Sequence, residues 1–164
     1  MNKWIFQFLL AACLVSSSLA AQALRTEPVS PIGRKFMEDQ HDIIDDLARR
    51  NFGRQLNGQK DNDFAVMQRL LDENIVTADQ RAKLQAMGLI LGSILKSEYG
   101  LNWIVYFDKY GRSRSLQVPG YDRDFIFPVT QVSRKAEVGI RVNIAEVYRE
   151  LEKSIVNIRN RPLL

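Results

Sequence analysis

The sequence predicts an α+β fold: N-terminal helices, a small antiparallel sheet of three to four strands, and a C-terminal helix packed on the sheet. Three observations support this prediction. Apolar residues recur at helical spacing before position 100, alternate with a period of two after it, and return to helical spacing from residue 143. This order differs from the regular alternation of strands and helices that is typical of a parallel α/β fold.

The composition excludes several functional classes. The chain has 164 residues, which is about the length of one domain, and it contains one Cys and one His. The 23 basic and 19 acidic side chains give a net charge of +4, which is too small and too mixed to predict a nucleic-acid partner. The glycines show no phosphate-binding spacing, so we expect no nucleotide and no other cofactor.

Residues 1–23 have the layout of a cleaved signal peptide. Lys3 supplies the positive charge, and an apolar stretch extends from Trp4 to Val15. This stretch is too short to span a bilayer, which takes about 20 residues. Three alternative cleavage positions follow Ala20, Ala21 and Ala23. We therefore expect an exported, periplasmic protein.

An alternative remains open within the same segment. Leu10–Cys13 has the form of a bacterial lipobox, in which Cys13 would become the lipidated first residue. The apolar stretch before Cys13 is short for that role, and it continues past the cysteine. We expect contact with a membrane only if Cys13 is lipidated. In the cleaved form the mature chain has no thiol.

The mature chain is predicted to form one domain over residues 34–164, preceded by an extended lead-in at 24–33 that contains two prolines. The first helix is predicted from Arg34 to Gly53. Its buried side is expected to carry Phe36, Ile43, Ile44 and Leu47, and its acidic residues, including Asp45, are expected to face outward.

Two further helices are predicted before the sheet. Turn residues at 57–62 precede a short helix, and Thr77–Gln80 has a capping-box pattern that predicts a third helix from Ala78 to about Glu98, with Gly100 as its left-handed stop. Gly88 and Gly92 lie four residues apart on the third helix, which predicts close packing against another element.

The sheet is predicted from residue 101 onward. Leu101–Phe107 is expected to be a central strand, and a turn at Asp108–Gly111 leads into the returning strand Arg112–Val118. Phe125–Phe127 is expected to be a third strand and Val132–Val138 a possible fourth. Asn143 and Glu146 then cap the final helix.

Several of these motifs together resemble a bacterial family that is known only as a domain of unknown function. They are Gly100–Trp103, Asp108–Arg112, Phe127–Pro128, Ser133–Lys135, Glu137 and Gly139. Members of that family are small, often exported proteins. The resemblance covers about residues 84–158 and implies the fold and the extent of the domain, but it implies no activity.

Two sets of residues raise catalytic or metal-binding alternatives. Glu98 at the end of a helix and Asp108 in the following hairpin are an acid pair of the kind used by glycosidases, so a periplasmic glycan-cleaving enzyme is one alternative. His41 lies near Glu38, Asp42 and Asp45 on the first helix, which could form a weak metal site. Neither set requires a catalytic or metal-binding role. Acidic residues near His41 are favoured in the first turns of a helix by the helix dipole, and Asp108 suits a hairpin turn.

The sheet half of the chain concentrates Arg and Tyr, the residue types enriched at protein interfaces because each combines a large contact area with a polar tip. The candidate binding residues are Arg112, Arg114, Tyr121, Arg123, Arg134 and Glu137. The same residues could instead form a solvated rim, with Arg134 and Glu137 as a local ion pair. Trp103 is predicted to belong to the core.

The function that these observations favour is non-catalytic binding. We expect a periplasmic binding or inhibitor-type protein whose partner is another envelope protein, including a toxin that an immunity-type protein would neutralise. The oligomeric state is not predicted.

Overall fold

A computed structural model describes residues 25–162 of the protein. The predicted signal peptide, with Cys13 and the three cleavage positions, lies outside the described residues. Within these residues the helices are α1 (Pro31–Phe52), α2 (Lys60–Asp72), α3 (Arg81–Tyr99), α4 (Gln131–Glu137) and α5 (Ile144–Arg159). The strands are β1 (Arg25–Pro28), β2 (Asn102–Asp108), β3 (Gly111–Gln117) and β4 (Phe125–Ile126). The predicted α+β fold is confirmed.

The four strands form one antiparallel sheet in the order β1-β2-β3-β4. Strand β2 therefore has a neighbour on each side, as its aromatic and β-branched residues predict. The hairpin from β2 to β3 turns between Asp108 and Gly111, which are paired, and Gly111 adopts a φ of 123°. This left-handed region favours glycine, so the turn forms where the sequence predicts it.

The N-terminal boundary differs from the predicted one. The segment expected to be a lead-in is extended, but it forms the edge strand β1 and pairs with β2. Helix α1 begins at Pro31 rather than Arg34, because the Ser30 hydroxyl oxygen accepts a hydrogen bond from the Gly33 amide at 3.1 Å and caps the helix.

The predicted buried side of α1 is wrong in part. Ile44 and Ala48 are buried, whereas Phe36 and Ile43 are each more than 40% exposed. Asp45, expected to face outward, is buried. Its carboxylate accepts a hydrogen bond from the Leu56 amide at 2.7 Å, which explains why an acidic residue occupies this position.

Helix α3 begins at Arg81 rather than at Ala78. The Thr77 hydroxyl donates to the Asp79 carboxylate at 2.5 Å, so it does not cap the helix, and the Thr77–Gln80 segment forms a turn before it. The predicted close packing of the two helical glycines is confirmed. A Cβ at Gly88 would lie 2.6 Å from the Pro128 carbonyl oxygen, and one at Gly92 would lie 2.5 Å from the Trp103 ring.

The predicted strand at Val132–Val138 is wrong, because this segment forms α4. Val132 and Ser133 are consecutive and both fully buried, and Ala136 packs on the core one turn later. A strand turns consecutive side chains to opposite faces, so this burial pattern suits a helix lying on the core.

Helix α3 is the centre of the core. It packs against α1 on one side and α4 on another, and α5 packs against α2 and α4 and reaches the sheet at β4. Four α3 residues have no exposed surface: Leu84, Met87, Leu91 and Leu95. Within residues 25–162, no helix combines the length and apolar character needed to cross a membrane.

Candidate functional site

Two of the predicted binding residues lie together on β3. Arg112 and Arg114 are two positions apart on one strand, so their side chains leave the same face of the sheet. The strand register places Arg112 opposite Phe107 and Arg114 opposite Val105 on β2. Phe107 in turn lies opposite Arg25 on β1, so a row of alternating basic and aromatic residues crosses three strands.

Aromatic rings hold two of these guanidinium groups. The Arg114 guanidinium lies 4.3 Å from the ring centroid of Phe36 on α1, and the Arg25 guanidinium lies 4.6 Å from that of Phe107. Such cation–π contacts orient a guanidinium without neutralising it. The Arg25 guanidinium also pairs with the Glu27 carboxylate at 2.6 Å, so its charge is compensated within the protein. We call this surface the basic face; it consists of Arg25, Arg112, Arg114, Phe36 and Phe107.

No carboxylate of residues 25–162 compensates the charge of Arg114. Burial lowers the pKa of Arg114 from its ordinary value, and the positive charge of Arg112 lowers it further. Its Nε is buried and has no hydrogen-bond partner among the described residues. Neither Arg112 nor Arg114 forms an ion pair with any carboxylate in residues 25–162. The basic face is therefore well suited to receive an external acceptor such as a carboxylate.

The other four predicted residues lie on different elements. Tyr121 donates its hydroxyl to the carbonyl oxygens of Arg159 and Arg161, at 2.9 and 3.3 Å, and so fastens the end of α5. Arg123 is exposed in the loop between β3 and β4, and Arg134 is exposed on α4. Glu137 pairs with Arg81 at 3.0 Å rather than with Arg134.

The two carboxylates of the glycosidase alternative share no hydrogen-bond partner within residues 25–162. Glu98 accepts hydrogen bonds from Lys60 and from the Tyr148 hydroxyl. Desolvation raises the pKa of Glu98, but the hydrogen bonds from Tyr148 and Lys60 outweigh it, and the pKa falls below its ordinary value. Asp108 instead accepts a hydrogen bond from the Tyr110 amide at 2.8 Å, within the hairpin turn.

His41 does not assemble a metal site with its acidic neighbours. Its Nδ1 lies 3.7 Å from an Asp42 carboxylate oxygen. Within the described part of the chain, no three His, Cys, Asp or Glu side chains come close enough together to bind a metal. Asp45, the other predicted neighbour, is buried and pairs with Arg49 at 2.6 Å.

Sequence reasoning missed a cavity of about 760 Å³, which we call the α1–α3 cavity. It is open to solvent and lies between the two helices, where β1 ends and β2 begins. Its lining includes Arg34, Glu38, His41 and Asp42 from α1, Ser93, Lys96 and Ser97 from α3, and Asn102 and Trp103 from β2. The helical spacing of Arg34, Glu38 and Asp42 was the available signal, but it equally suits a solvated helix face.

Sequence reasoning also missed two members of the basic face. Phe36 was expected in the core and Arg25 in a lead-in. The contact between Phe36 and Arg114 joins distant parts of the chain, and no local pattern predicts it.

The chain belongs to the DUF3806 family, which is described as a domain of unknown function and matches residues 63–148. The match begins before the predicted resemblance, which starts at about residue 84, and it also ends before the predicted end at about residue 158. It includes Arg112 and Arg114 but not α1, so Phe36 and Arg25 lie outside the matched segment. No curated protein matches the chain.

The fold is similar to that of a solved protein from Bacteroides thetaiotaomicron VPI-5482. The TM-score is 0.69 at 20% sequence identity, and the similarity covers 77% of this chain. The chain spans 46% of the length of that protein, so the similarity concerns part of a larger molecule. At this level of identity the comparison shows a shared fold.

Proposed function

We propose that this chain is a non-catalytic binding protein, of an inhibitor or immunity type, whose contact surface is the basic face. The observation that carries this proposal is Arg114. A partly buried guanidinium costs free energy when no acceptor compensates it. Arg114 has no ion-pair partner in residues 25–162, and it lies against an aromatic ring beside a second arginine. An acidic partner would supply the missing acceptor.

The chemistry of the basic face favours a protein partner with carboxylates beside an apolar patch. Arginine and aromatic residues are enriched among the residues that dominate binding energy at protein interfaces. Ile32 lies one turn before Phe36 on α1, on the same side of the helix, and it is 84% exposed. The surface therefore offers apolar contact area next to two guanidinium groups, each able to bind a carboxylate with paired hydrogen bonds.

We propose in addition that the protein acts in the periplasm, where its partner is another envelope protein. The support is the pattern of residues 1–23, and lipidation at Cys13 remains the alternative. The intact mass of the protein recovered from the source bacterium distinguishes the two. A mass that begins after Ala20, Ala21 or Ala23 supports simple export, whereas a lipid-modified chain that begins at Cys13 supports anchoring.

Site-specific photo-crosslinking tests the contact surface. A benzophenone amino acid replaces Phe36, which preserves an aromatic ring against Arg114. The matched control replaces Val156 on α5, because Phe36 and Val156 are 43% and 42% exposed. The cells of the source bacterium are irradiated, and crosslinked products are separated by mass and identified.

The proposal predicts a discrete adduct from position 36 and none of the same mass from position 156. The adduct should contain an envelope protein. Equal products from the two positions, or no product from position 36, would contradict the basic face as the contact surface.

A further inference from the structure

The α1–α3 cavity carries a set of charges that differs from the rest of α1. Away from the cavity, the charged residues of this helix pair with one another one turn apart, as Lys35 with Asp39, Arg49 with Asp45 and Arg50 with Asp46. The charges that line the cavity do not. Arg34, Glu38 and Lys96 form no ion pair in residues 25–162, and Asp42 has only its 3.7 Å contact with His41.

The α1 charges are arranged by sign along the helix, and Lys96 adds a second cation from α3. Arg34 comes first, and Glu38 and Asp42 follow at intervals of four residues on the same side. With a rise of 1.5 Å per residue, the backbone positions of Glu38 and Asp42 lie about 6 and 12 Å along the axis from that of Arg34. One nitrogen of the Arg34 guanidinium donates to the Val29 carbonyl oxygen at 2.8 Å, which fixes the position of the group. Its other donors bind no side-chain carboxylate of residues 25–162.

The walls of the cavity between Arg34 and the two carboxylates are suited to the uncharged part of a ligand. Met37 and Trp103 supply apolar surface, and Ser93, Ser97 and Asn102 supply hydroxyl and amide groups. Small-molecule sites are typically concave, with apolar walls and a few placed polar groups, and their volumes are about 300–1,000 Å³. The cavity, at about 760 Å³, lies within that range.

We propose that the α1–α3 cavity binds a short peptide with free termini, its carboxylate at Arg34 and its ammonium group at Glu38 and Asp42. An extended peptide advances about 3.3 Å per residue, so two to four residues span the distance between the charges. The site is separate from the basic face. Phe36 is two residues from both Arg34 and Glu38, which puts it about 200° away around the helix.

Titrations followed by NMR test this proposal. The full-length protein, as isolated from its producing cells and labelled with ¹⁵N, is titrated with trialanine and with Ala-Leu-Ala at millimolar concentrations. Each peptide is also used with its amino group acetylated and with its carboxyl group amidated. A neutral trisaccharide is the comparison ligand of similar size.

The proposal predicts chemical-shift changes in the amides of cavity residues such as Ser97 and Asn102. Blocking either terminus should weaken binding about fivefold, the effect of one partly solvated ion pair. In the Glu38→Gln/Asp42→Asn variant, the acetylated and free peptides should bind equally. The control variant Asp39→Asn/Asp46→Asn removes two carboxylates of α1 outside the cavity and should preserve the preference for the free terminus.

Three results would overturn the proposal. One is the absence of cavity shifts with both free peptides. Another is equal binding of free and blocked peptides to the unaltered protein. The third is tighter binding of the trisaccharide than of either peptide. Because the basic face takes no part in these titrations, their outcome is independent of the proposed function.

Discussion

Gly92 of α3 lies directly against the indole ring of Trp103, and a Cβ at position 92 would come within 2.5 Å of the ring carbon Cζ2. The same Cβ would lie 2.7 Å from the Pro128 ring. This close approach packs the beginning of β2 onto the central helix. It also fixes the aromatic wall of the α1–α3 cavity, since Trp103 lines it.

The first prediction follows from this contact. Gly92→Ala should lower the free energy of unfolding by about 1–3 kcal/mol, because overpacking displaces the indole ring. Alanine would otherwise stabilise a helix by about 1 kcal/mol relative to glycine. Urea denaturation measures the difference. The neighbouring exposed variant Ser93→Ala is the control and should be about as stable as the unaltered protein. A Gly92→Ala protein of increased stability would contradict the packing described here.

The second prediction concerns Asp63, which is fully buried at the beginning of α2. Its carboxylate accepts hydrogen bonds from the amides of Asn57 and Gly58, both at 3.0 Å. Asp63→Ala should lower the free energy of unfolding by about 2 kcal/mol or more, because both amides lose their acceptor. Asp61→Ala, an exposed change on the same turn, should cost no more than about 1 kcal/mol. Equal losses in the two variants would show that the buried carboxylate is not what holds the turn.

The third prediction is a pH dependence at Glu98. Its pKa is lowered in the folded state: desolvation opposes this, but the hydrogen bonds from Tyr148 and Lys60 prevail. The stability contributed by the carboxylate is therefore present above its ordinary pKa of 4.5 and is lost as the pH falls below it. About 35% of the Glu98 side chain is exposed, so the contribution is no more than about 1 kcal/mol.

Urea denaturation between neutral pH and pH values below 4.5 measures this contribution. Glu98→Gln should lose less stability on acidification than the unaltered protein. Glu150→Gln, which removes the half-exposed ion pair with Lys135, is the control and should follow the unaltered protein. If Glu98→Gln retains the full acid sensitivity, the hydrogen bonds from Tyr148 and Lys60 are not its source.

The fourth prediction separates binding from stability at Arg114. Arg114→Met keeps a long side chain against Phe36 and removes a partly buried charge that has no ion-pair partner in residues 25–162. Replacing such a charge by an apolar group is often neutral or stabilising by about 1 kcal/mol or more. The variant should therefore unfold at the same or a higher urea concentration while losing the adduct formed from position 36. A clear loss of stability would mean that Arg114 serves the fold rather than a partner.

Local features of the fold could be predicted because they depend on nearby residues. The hairpin at Asp108–Gly111 and the end of α3 at Gly100 both require a left-handed residue, and glycine occupies each position. Asn143 caps α5 through a hydrogen bond from the Glu146 amide at 3.0 Å, as the spacing of the two residues predicts.

Features that depend on distant contacts could not be predicted in this way. Asp45 is buried because the Leu56 amide, in the loop after α1, needs an acceptor. The short segment Val132–Val138 has apolar residues at both ends, which suits a strand or a helix equally. Its packing on α3 decides the outcome.

The same distinction applies to the candidate site. Arg112 and Arg114 share one face because side chains alternate along β3. Their neighbours Phe36 and Arg25 come from the other end of the chain, through the packing of α1 and the pairing of β1. Tyr121 and Glu137 lie apart from the basic face, and each makes a contact within the protein, with the Arg159 carbonyl oxygen and with Arg81 respectively.

The most direct test is charge reversal on the basic face, with the photo-crosslinking amino acid at position 36. The comparison is between Arg112→Glu/Arg114→Glu and Arg149→Glu/Lys153→Glu, which reverses two exposed charges one turn apart on α5. Both variants change the net charge equally. We predict that the adduct with the envelope partner disappears in the first variant and persists in the second. Persistence of the adduct in both variants would contradict the basic face as the surface through which this protein binds.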